Sequence, residues 1–162
     1  MRLTTKGRYA VMALVDLAAY GGAAPVPLSD IALRQEISLP YLEQLFCKLR
    51  RAGLVASVRG PGGGYRLVRP AAATPVADVI AAVDETIRAT RCAPGSSSGC
   101  IGRGGRCLTH DLWAELGNRI HGYLRSVSLA DVCAGRVLQA DTAAAGTAMR
   151  RAVPAARIAA AE

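Results

Sequence analysis

Apolar residues recur at spacings of three and four through the first fifty positions, which is typical of amphipathic helices. The first such stripe consists of Tyr9, Met12, Ala13, Leu17 and Tyr20. Glycine, proline and serine interrupt the pattern at Gly21-Gly22, at Pro25 and Pro27, and at Ser38. The pattern predicts three helices, over Thr5–Tyr20, Leu28–Gln35 and about Leu39–Ala52. The short turn between the second and third helices indicates a helix-turn-helix.

Two short stretches after Gly53 favour β-strands, about Leu54–Arg59 and Tyr65–Arg69. Five residues, Gly60-Pro61-Gly62-Gly63-Gly64, connect them, and a glycine-rich connection of this length is typical of a β-hairpin. A helix-turn-helix followed by a hairpin is the order of elements in a winged helix.

Helical patterns return in the second half of the chain. Thr74-Pro75 is expected to open a helix that reaches about Asp84, with threonine as its cap and proline at its first position. Thr109 is expected to cap a long helix to about Arg125. Its apolar stripe, continued just beyond the helix, consists of Leu112, Trp113, Leu116, Ile120, Tyr123, Leu124 and Val127. Ser128 and Asp131 have the spacing of a capping box, which predicts one more short helix.

The predicted fold class is therefore mainly α with a small β-hairpin: a winged helix-turn-helix followed by a long helix that serves for dimerisation. We expect a DNA-binding region over residues 1–70 and a segment over residues 71–135 that carries metal ligands and the long helix. Together they would form one continuous regulator domain over residues 2–131. The alanine-rich residues 136–162 are expected to form a flexible tail.

Positive charge is concentrated in the first half of the chain. Residues 1–70 contain ten Lys or Arg against four acids, whereas residues 71–162 contain ten Arg against eight acids. This asymmetry favours an anionic partner for the first half, most often nucleic acid. Asp16 interrupts the apolar run near the amino terminus, and no stretch approaches the length of a membrane span. We expect a cytoplasmic protein that does not interact with membranes.

The third predicted helix divides into an apolar and a polar arc. At 100° per residue, its apolar arc contains Leu39, Leu42, Leu45, Phe46 and Leu49. Its polar arc contains Pro40, Tyr41, Glu43, Gln44, Cys47, Lys48 and Arg51. Such a face is often simply solvated, but after a helix-turn-helix in a basic region it favours insertion into a major groove. There Gln44 can pair with adenine and Glu43 can accept a hydrogen bond from cytosine.

Glu43 is expected to act as a specificity filter, because a carboxylate near phosphates is unfavourable unless a base satisfies it. Arg59 precedes Gly60 at the hairpin tip, where it suits a narrow minor groove. The full set of predicted DNA-binding residues is Arg2, Thr5, Pro40, Tyr41, Glu43, Gln44, Cys47, Arg51, Arg59 and Gly60.

Three of the five cysteines and one histidine lie close together in the sequence. They are Cys92, Cys100, Cys107 and His110, separated by seven, six and two residues. Three thiolates and one imidazole suit zinc or an iron–sulfur cluster, and the residue chemistry alone leaves these two alternatives open beside unrelated free thiols. Cys133 stands apart and is expected to be a small packing residue. No nucleophile–base pair stands out, so we do not expect an enzyme.

Four segments together resemble the IscR family of iron–sulfur regulators. They are Met1–Val11, Ile37–Phe46, Val58–Tyr65, and Ala89–Cys92 together with Cys107-Leu108-Thr109-His110. The resemblance runs from residue 1 to about residue 135. A related branch of regulators senses nitric oxide with a larger cluster, and the Cys107–His110 segment favours the IscR type.

The resemblance implies a dimeric winged-helix transcription factor that carries a [2Fe–2S] cluster on Cys92, Cys100, Cys107 and His110. It also implies base contacts from the third helix and a minor-groove role for Arg59. Such a regulator would bind palindromic promoter DNA, receive its cluster from the iron–sulfur assembly machinery, and repress the assembly genes while activating some other sites. The alternatives are a nitric-oxide-sensing repressor, a zinc-stabilised DNA-binding protein without sensing, and an iron–sulfur carrier that binds no DNA.

Overall fold

The computed structural model describes residues 4–22, 24–85 and 107–138. In chain order its elements are α1 (Thr5–Tyr20), α2 (Leu28–Gln35), α3 (Leu39–Arg51), β1 (Val55–Val58), β2 (Gly64–Leu67), α4 (Val76–Ala82), α5 (His110–Ser126) and α6 (Leu129–Cys133). The predicted bounds of α1 and α2 are confirmed at both ends. The predicted fold class of a mainly helical chain with one β-hairpin is also confirmed. We call α1, α2, α3 and the hairpin the head.

The core of the head lies where α1, α2 and α3 meet. Its largest fully buried side chains include Leu14, Ile31, Leu42 and Phe46. The stripe predicted for α1 is wrong at its end, because Tyr20 is 65% exposed. The buried face of α1 consists of Gly7, Ala10, Ala13, Leu14, Asp16 and Leu17. Small residues at three of these positions let the neighbouring helices approach closely.

A buried ion pair fixes α2 against α1. The Asp16 carboxylate is fully buried, and Arg34 donates to it from Nη2 at 2.7 Å and from Nε at 3.0 Å. Gln35 donates a further hydrogen bond at 2.8 Å. The Arg34 guanidinium also lies 4.5 Å from the centroid of the Tyr20 ring. Three donors on one carboxylate satisfy the hydrogen-bonding needs of a charge that is costly to bury.

The hairpin is the wing of the fold. Its strands are antiparallel, with Val55 opposite Leu67 and Val58 opposite Gly64. The chain before α2 continues the sheet, because the Val26 and Tyr65 backbones exchange hydrogen bonds of 2.9 and 2.8 Å. Gly64 is required at this point, since a Cβ atom there would overlap the Val26 carbonyl. The Tyr65 ring meets Phe46 edge to face at a centroid distance of 4.8 Å, which joins the wing to α3.

Helix α4 starts one residue later than the predicted opening with Thr74 as the cap and Pro75 as the first residue. Pro75 is its N-cap, and the Thr74 hydroxyl donates to the Pro70 carbonyl at 3.0 Å instead of capping the helix. Val79 of α4 and Val83, which directly follows the helix, are buried in the same core cluster as the head. This packing joins residues on both sides of position 70. The predicted boundary between the DNA-binding region and the following segment stays a prediction.

The capping box that begins α6 is confirmed. The Asp131 N–H donates to the Ser128 hydroxyl, and the Ser128 N–H donates to the Asp131 carboxylate at 3.1 Å. The Ser128 hydroxyl and backbone, together with Arg136, lower the pKa of Asp131 to about 2. The Asp131 carboxylate therefore stays charged throughout the neutral range. It accepts the Ser128 N–H at the start of α6 and pairs with Arg136.

Helix α5 differs from the others because none of its residues is fully buried. Large apolar side chains remain exposed along it, including Leu112, Trp113, Leu116 and Tyr123. Its other flank packs against α4. Among the described helices, none combines the length and the apolar character that crossing a bilayer requires. Most of the predicted tail, residues 139–162, lies outside the described residues.

Candidate DNA-binding surface and metal-ligand residues

Helix α3 presents a polar face to solvent next to the wing. Pro40, Glu43, Gln44 and Arg51 are exposed on this face. Leu42, Leu45, Phe46 and Leu49 are buried on the other, as the helical spacing predicts. The prediction for Leu39 is wrong, because it is 39% exposed. Leu39 is the first residue of α3, and the buried side of the helix begins at Leu42.

Two members of the predicted DNA-binding set are half-buried. The Tyr41 ring meets Tyr9 of α1 edge to face at a centroid distance of 6.0 Å. This contact leaves only part of the Tyr41 side chain available to a ligand. Cys47 is a free, half-buried thiol between the exposed face and the core. The polar face that remains fully open is therefore narrower than the sequence predicts.

A second set of predicted residues lies at the wing tip. Arg59 and Gly60 are exposed at the turn between β1 and β2. Gly60 has a φ of 104°, in a region that residues with a Cβ atom rarely adopt. Thr5, at the amino-terminal end of α1, is also exposed. Arg2 lies outside the described residues.

An ion cluster that the sequence patterns do not predict lies beside α3. The Lys48 ammonium is 2.6 Å from the Asp84 carboxylate, and the Lys6 ammonium is 4.0 Å from the same oxygen. Lys48 lowers the pKa of Asp84, and Asp84 raises the pKa of Lys48. The adjacent Glu85 is buried and accepts a hydrogen bond from the Thr4 backbone N–H.

One feature of the sequence could have indicated this cluster. Asp84 and Glu85 follow the carboxyl end of α4, where the helix dipole disfavours negative charge. Acidic residues at that position call for cationic partners. The sequence does not reveal which cations these are, because Lys48 and Lys6 are distant along the chain.

Two of the four predicted cluster ligands are within the described residues. Cys107 is half-buried, and its carbonyl accepts the His110 N–H at 3.0 Å as α5 begins. The Cys107 sulfur lies 3.6 Å from the Thr109 hydroxyl, and Thr109 makes no side-chain cap bond to the helix. Cys92 and Cys100 lie outside the described residues. In the described part of the chain, no three His, Cys, Asp or Glu side chains group as a metal site.

Cys107 and His110 suit iron or zinc as a donor pair. A thiolate and an imidazole are common ligands of both, and the two residues lie three positions before α5 and at its first position. Two ligands do not complete a site, so the remaining donors would have to come from elsewhere in the chain. The predicted set satisfies this requirement with Cys92 and Cys100.

Comparison with known proteins identifies the family. The Rrf2 family, described as an iron-dependent transcriptional regulator, matches residues 3–135. The chain belongs to the Rrf2 family. The match covers the head, α4, α5 and α6 in one continuous alignment.

Comparison with individual proteins agrees with this assignment. The chain is 58% identical over 132 residues to the HTH-type transcriptional regulator IscR of Serratia proteamaculans, covering 82% of this chain and 79% of that protein. Among solved structures, IscR of T. potens is 37% identical with a TM-score of 0.68, over 84% of this chain and 88% of that one. CymR, the global cysteine regulator of B. subtilis, is 30% identical with a TM-score of 0.70, over 83% and 98%.

These findings decide the class of the protein. It is an Rrf2 transcriptional regulator of the IscR type that binds DNA, and it is not an enzyme. The expectation of a winged helix-turn-helix is confirmed by the same comparisons.

Proposed function

We propose that this Rrf2 protein is a cytoplasmic homodimer that reads palindromic promoter DNA and responds to a [2Fe–2S] cluster. It would repress iron–sulfur assembly genes when the cluster is bound and activate some other sites. The observation that carries this proposal is the family match, because it extends through both the α3 face and the Cys107–His110 segment.

The α3 face is the proposed reader of the major groove. Gln44 would pair with adenine through its amide, and Arg51 would contact the phosphate backbone. Arg59 and Gly60 at the wing tip would lie in the neighbouring minor groove, where negative potential favours arginine. At the start of α1, Arg2 and Thr5 would contact phosphates, and Pro40, Tyr41 and Cys47 would complete the contact surface.

Glu43 would make this face reject DNA sites that do not satisfy its carboxylate. It is exposed near the middle of α3, so a duplex brings its carboxylate close to phosphates or base edges. A cytosine amino group can satisfy the carboxylate, whereas other bases leave it unpaired. Glu43→Ala is therefore expected to bind a wider set of sites than the wild type. An unchanged set in a binding-site selection would contradict this role.

Cys92, Cys100, Cys107 and His110 are the proposed ligands of the cluster, which the assembly machinery would donate. A bound [2Fe–2S] centre supplies a redox-active group whose presence depends on the cell's supply of iron and sulfide. His110 would supply a neutral imidazole nitrogen in place of a fourth thiolate, which removes one negative charge from the ligand set. The rigid start of α5 would connect ligand occupancy with the orientation of that helix.

Helix α5 is the proposed dimer contact. Its exposed apolar residues require cover, and a two-fold pairing of α5 with a second copy would supply it. Such a dimer would present two α3 faces to the two half-sites of a palindrome.

A pair of cysteine variants tests the proposal. Protein purified without oxygen is assayed for iron, sulfide and zinc, and for affinity to a palindromic promoter of an iron–sulfur assembly gene. Cys107→Ala is expected to lose most of its iron and sulfide, and to bind the promoter about 5- to 150-fold more weakly. Cys133→Ala is the matched control and is expected to retain both, because the Cys133 thiol donates to the Val15 carbonyl of α1 at 3.6 Å and is not among the predicted ligands.

Three results would contradict the proposal in different ways. Equal iron content and affinity in Cys107→Ala and the wild type would remove the cluster from the mechanism. Stoichiometric zinc without sulfide would replace the cluster by a structural metal. Four iron atoms per chain with loss on nitric oxide treatment would favour the nitric-oxide-sensing alternative.

A further inference from the structure

Asp84 is held against two lysines that belong to different helices of the head. Lys48 lies on α3, one turn after Gln44, and Lys6 lies in the first turn of α1. Their ammonium groups lie 2.6 and 4.0 Å from the same Asp84 oxygen. The lysine side chains are about one-third exposed, and Asp84 is 74% exposed. The cluster therefore lies at the surface and is accessible to a ligand.

The cluster holds more positive than negative charge. The neighbouring Lys48 ammonium lowers the pKa of Lys6, because two cations lie close together. Arg51 adds a third cation whose field acts on Asp84. The carboxylates of Asp84 and Glu85 thus face three cations, and an oxyanion such as a phosphate has the chemistry to take the place of Asp84.

The backbone fixes Asp84 in this position. Asp84 has a φ of 56°, and its N–H donates to the Ala81 carbonyl at 3.0 Å just beyond α4. The next residue, Glu85, is buried and accepts the Thr4 N–H at the start of α1. These contacts anchor the chain on both sides of the Asp84 side chain, so its carboxylate stays near the lysines without being buried.

We propose that Asp84 competes with DNA phosphates for Lys48 and Lys6, and so lowers the affinity of the head for DNA. The inference rests on the proposed function, since it requires that α3 and the start of α1 face the duplex. An exposed ion pair contributes little to folding stability. The main consequence of this pair is therefore expected in DNA affinity and its dependence on salt.

The test compares two aspartate variants on non-specific duplex DNA, with the full-length chain and a series of salt concentrations. Asp84→Asn removes the charge but keeps the size, and asparagine tolerates a left-handed φ. Asp78→Asn is the matched control, because Asp78 forms an exposed pair with Arg69 at 3.0 Å and makes the same change in net charge. The affinity for non-specific DNA measures the electrostatic contact and requires neither a cluster nor an operator.

Asp84→Asn is expected to bind about three- to tenfold more tightly at about 0.1 M salt, with a salt slope steeper by about one unit, because one more phosphate contact forms. Asp78→Asn is expected to change affinity less than about twofold. When Lys6 and Lys48 are both changed to Gln, adding Asp84→Asn is expected to have no effect beyond that of Asp78→Asn.

Weaker binding by Asp84→Asn would overturn the inference and assign the carboxylate a role in orienting the lysines. If Asp84→Asn has the same effect as Asp78→Asn, or if its effect persists when both lysines are replaced, the change in affinity comes from net charge alone. Either result would also overturn the inference. In both cases the proposed function survives. If the wild type and all variants bind no duplex DNA even at about 0.02 M salt, the inference and the proposed function are both contradicted.

Discussion

The head and helix α5 have the same kind of apolar pattern but opposite degrees of burial. In the head, Leu14, Leu42 and Phe46 have no exposed surface. In α5, the apolar positions have the same helical spacing, yet Trp113 is 44% exposed and Leu116 is 38% exposed. A pattern of apolar residues therefore shows which face of a helix needs cover, but it does not show which surface supplies that cover.

The difference follows from how many neighbours each region has. Helix α3 packs against α1, α2, α4 and the wing within one chain. For α5, α4 is the main neighbour in the described chain, and it covers one flank only. Burial of apolar surface stabilises by about 25 cal/mol per Å², so the uncovered flank favours association with a second surface. The head is expected to depend on contacts within one chain, including those with α4, for its stability, and α5 on a partner.

The largest effect is expected from a cavity in the head. Phe46→Ala is expected to lower the free energy of unfolding by about 3–5 kcal/mol, because it removes a fully buried ring that contacts Tyr65 of the wing. Urea denaturation at fixed protein concentration measures the change. Leu33→Ala is the control, since Leu33 is 83% exposed on α2 and its truncation is expected to cost less than about 0.5 kcal/mol. Equal losses in the two variants would refute the view that the head supplies its own core.

A smaller effect, on association and not on folding, is expected in α5. Leu116→Glu places a charge on the exposed apolar flank and is expected to weaken self-association by about 30-fold or more. Asn118→Glu introduces the same charge on the opposite, polar side of the helix and is expected to leave the dimer intact. Sedimentation equilibrium measures both dissociation constants.

The unfolding of the head separates the two possible roles of this flank. Leu116→Glu is expected to leave the denaturation of an isolated monomer nearly unchanged. If it destabilises the monomer as Phe46→Ala does, or if both glutamate variants associate like the wild type, α5 is not the dimer contact.

The parts of the structure that the sequence predicted are those decided by neighbours along the chain. The bounds of α1 and α2 follow from Gly21 and Pro27, which end and precede helices for local reasons. The spacing of Tyr20 fits the apolar stripe of α1, but its ring is 65% exposed and lies beside the Arg34 guanidinium. The contact of Asp84 with Lys48 joins residues that are 36 positions apart, and no local pattern encodes it.

The smallest effect is expected at the turn between α2 and α3, where a local change in the head should leave α5 unaffected. Glu36 has a φ of 54° and a ψ of 39° after α2, and its N–H donates to the Ala32 carbonyl. A residue with a Cβ atom adopts this left-handed conformation at a cost of about 1 kcal/mol, which glycine avoids. Glycine also loses more entropy on folding, so Glu36→Gly is expected to raise the free energy of unfolding by only about 0.5 kcal/mol.

Glu36→Ala separates backbone strain from the loss of the charge. Alanine removes the carboxylate but keeps the Cβ atom, so it is expected to be no more stable than the wild type. If alanine stabilises the head as much as glycine does, the benefit comes from removing a negative charge and not from the turn. Because Glu36 is exposed and has no part in the α5 contact, neither variant should alter self-association. A shift in the dimer dissociation constant would show that the head and α5 are not independent, and that their difference in burial does not separate folding from assembly.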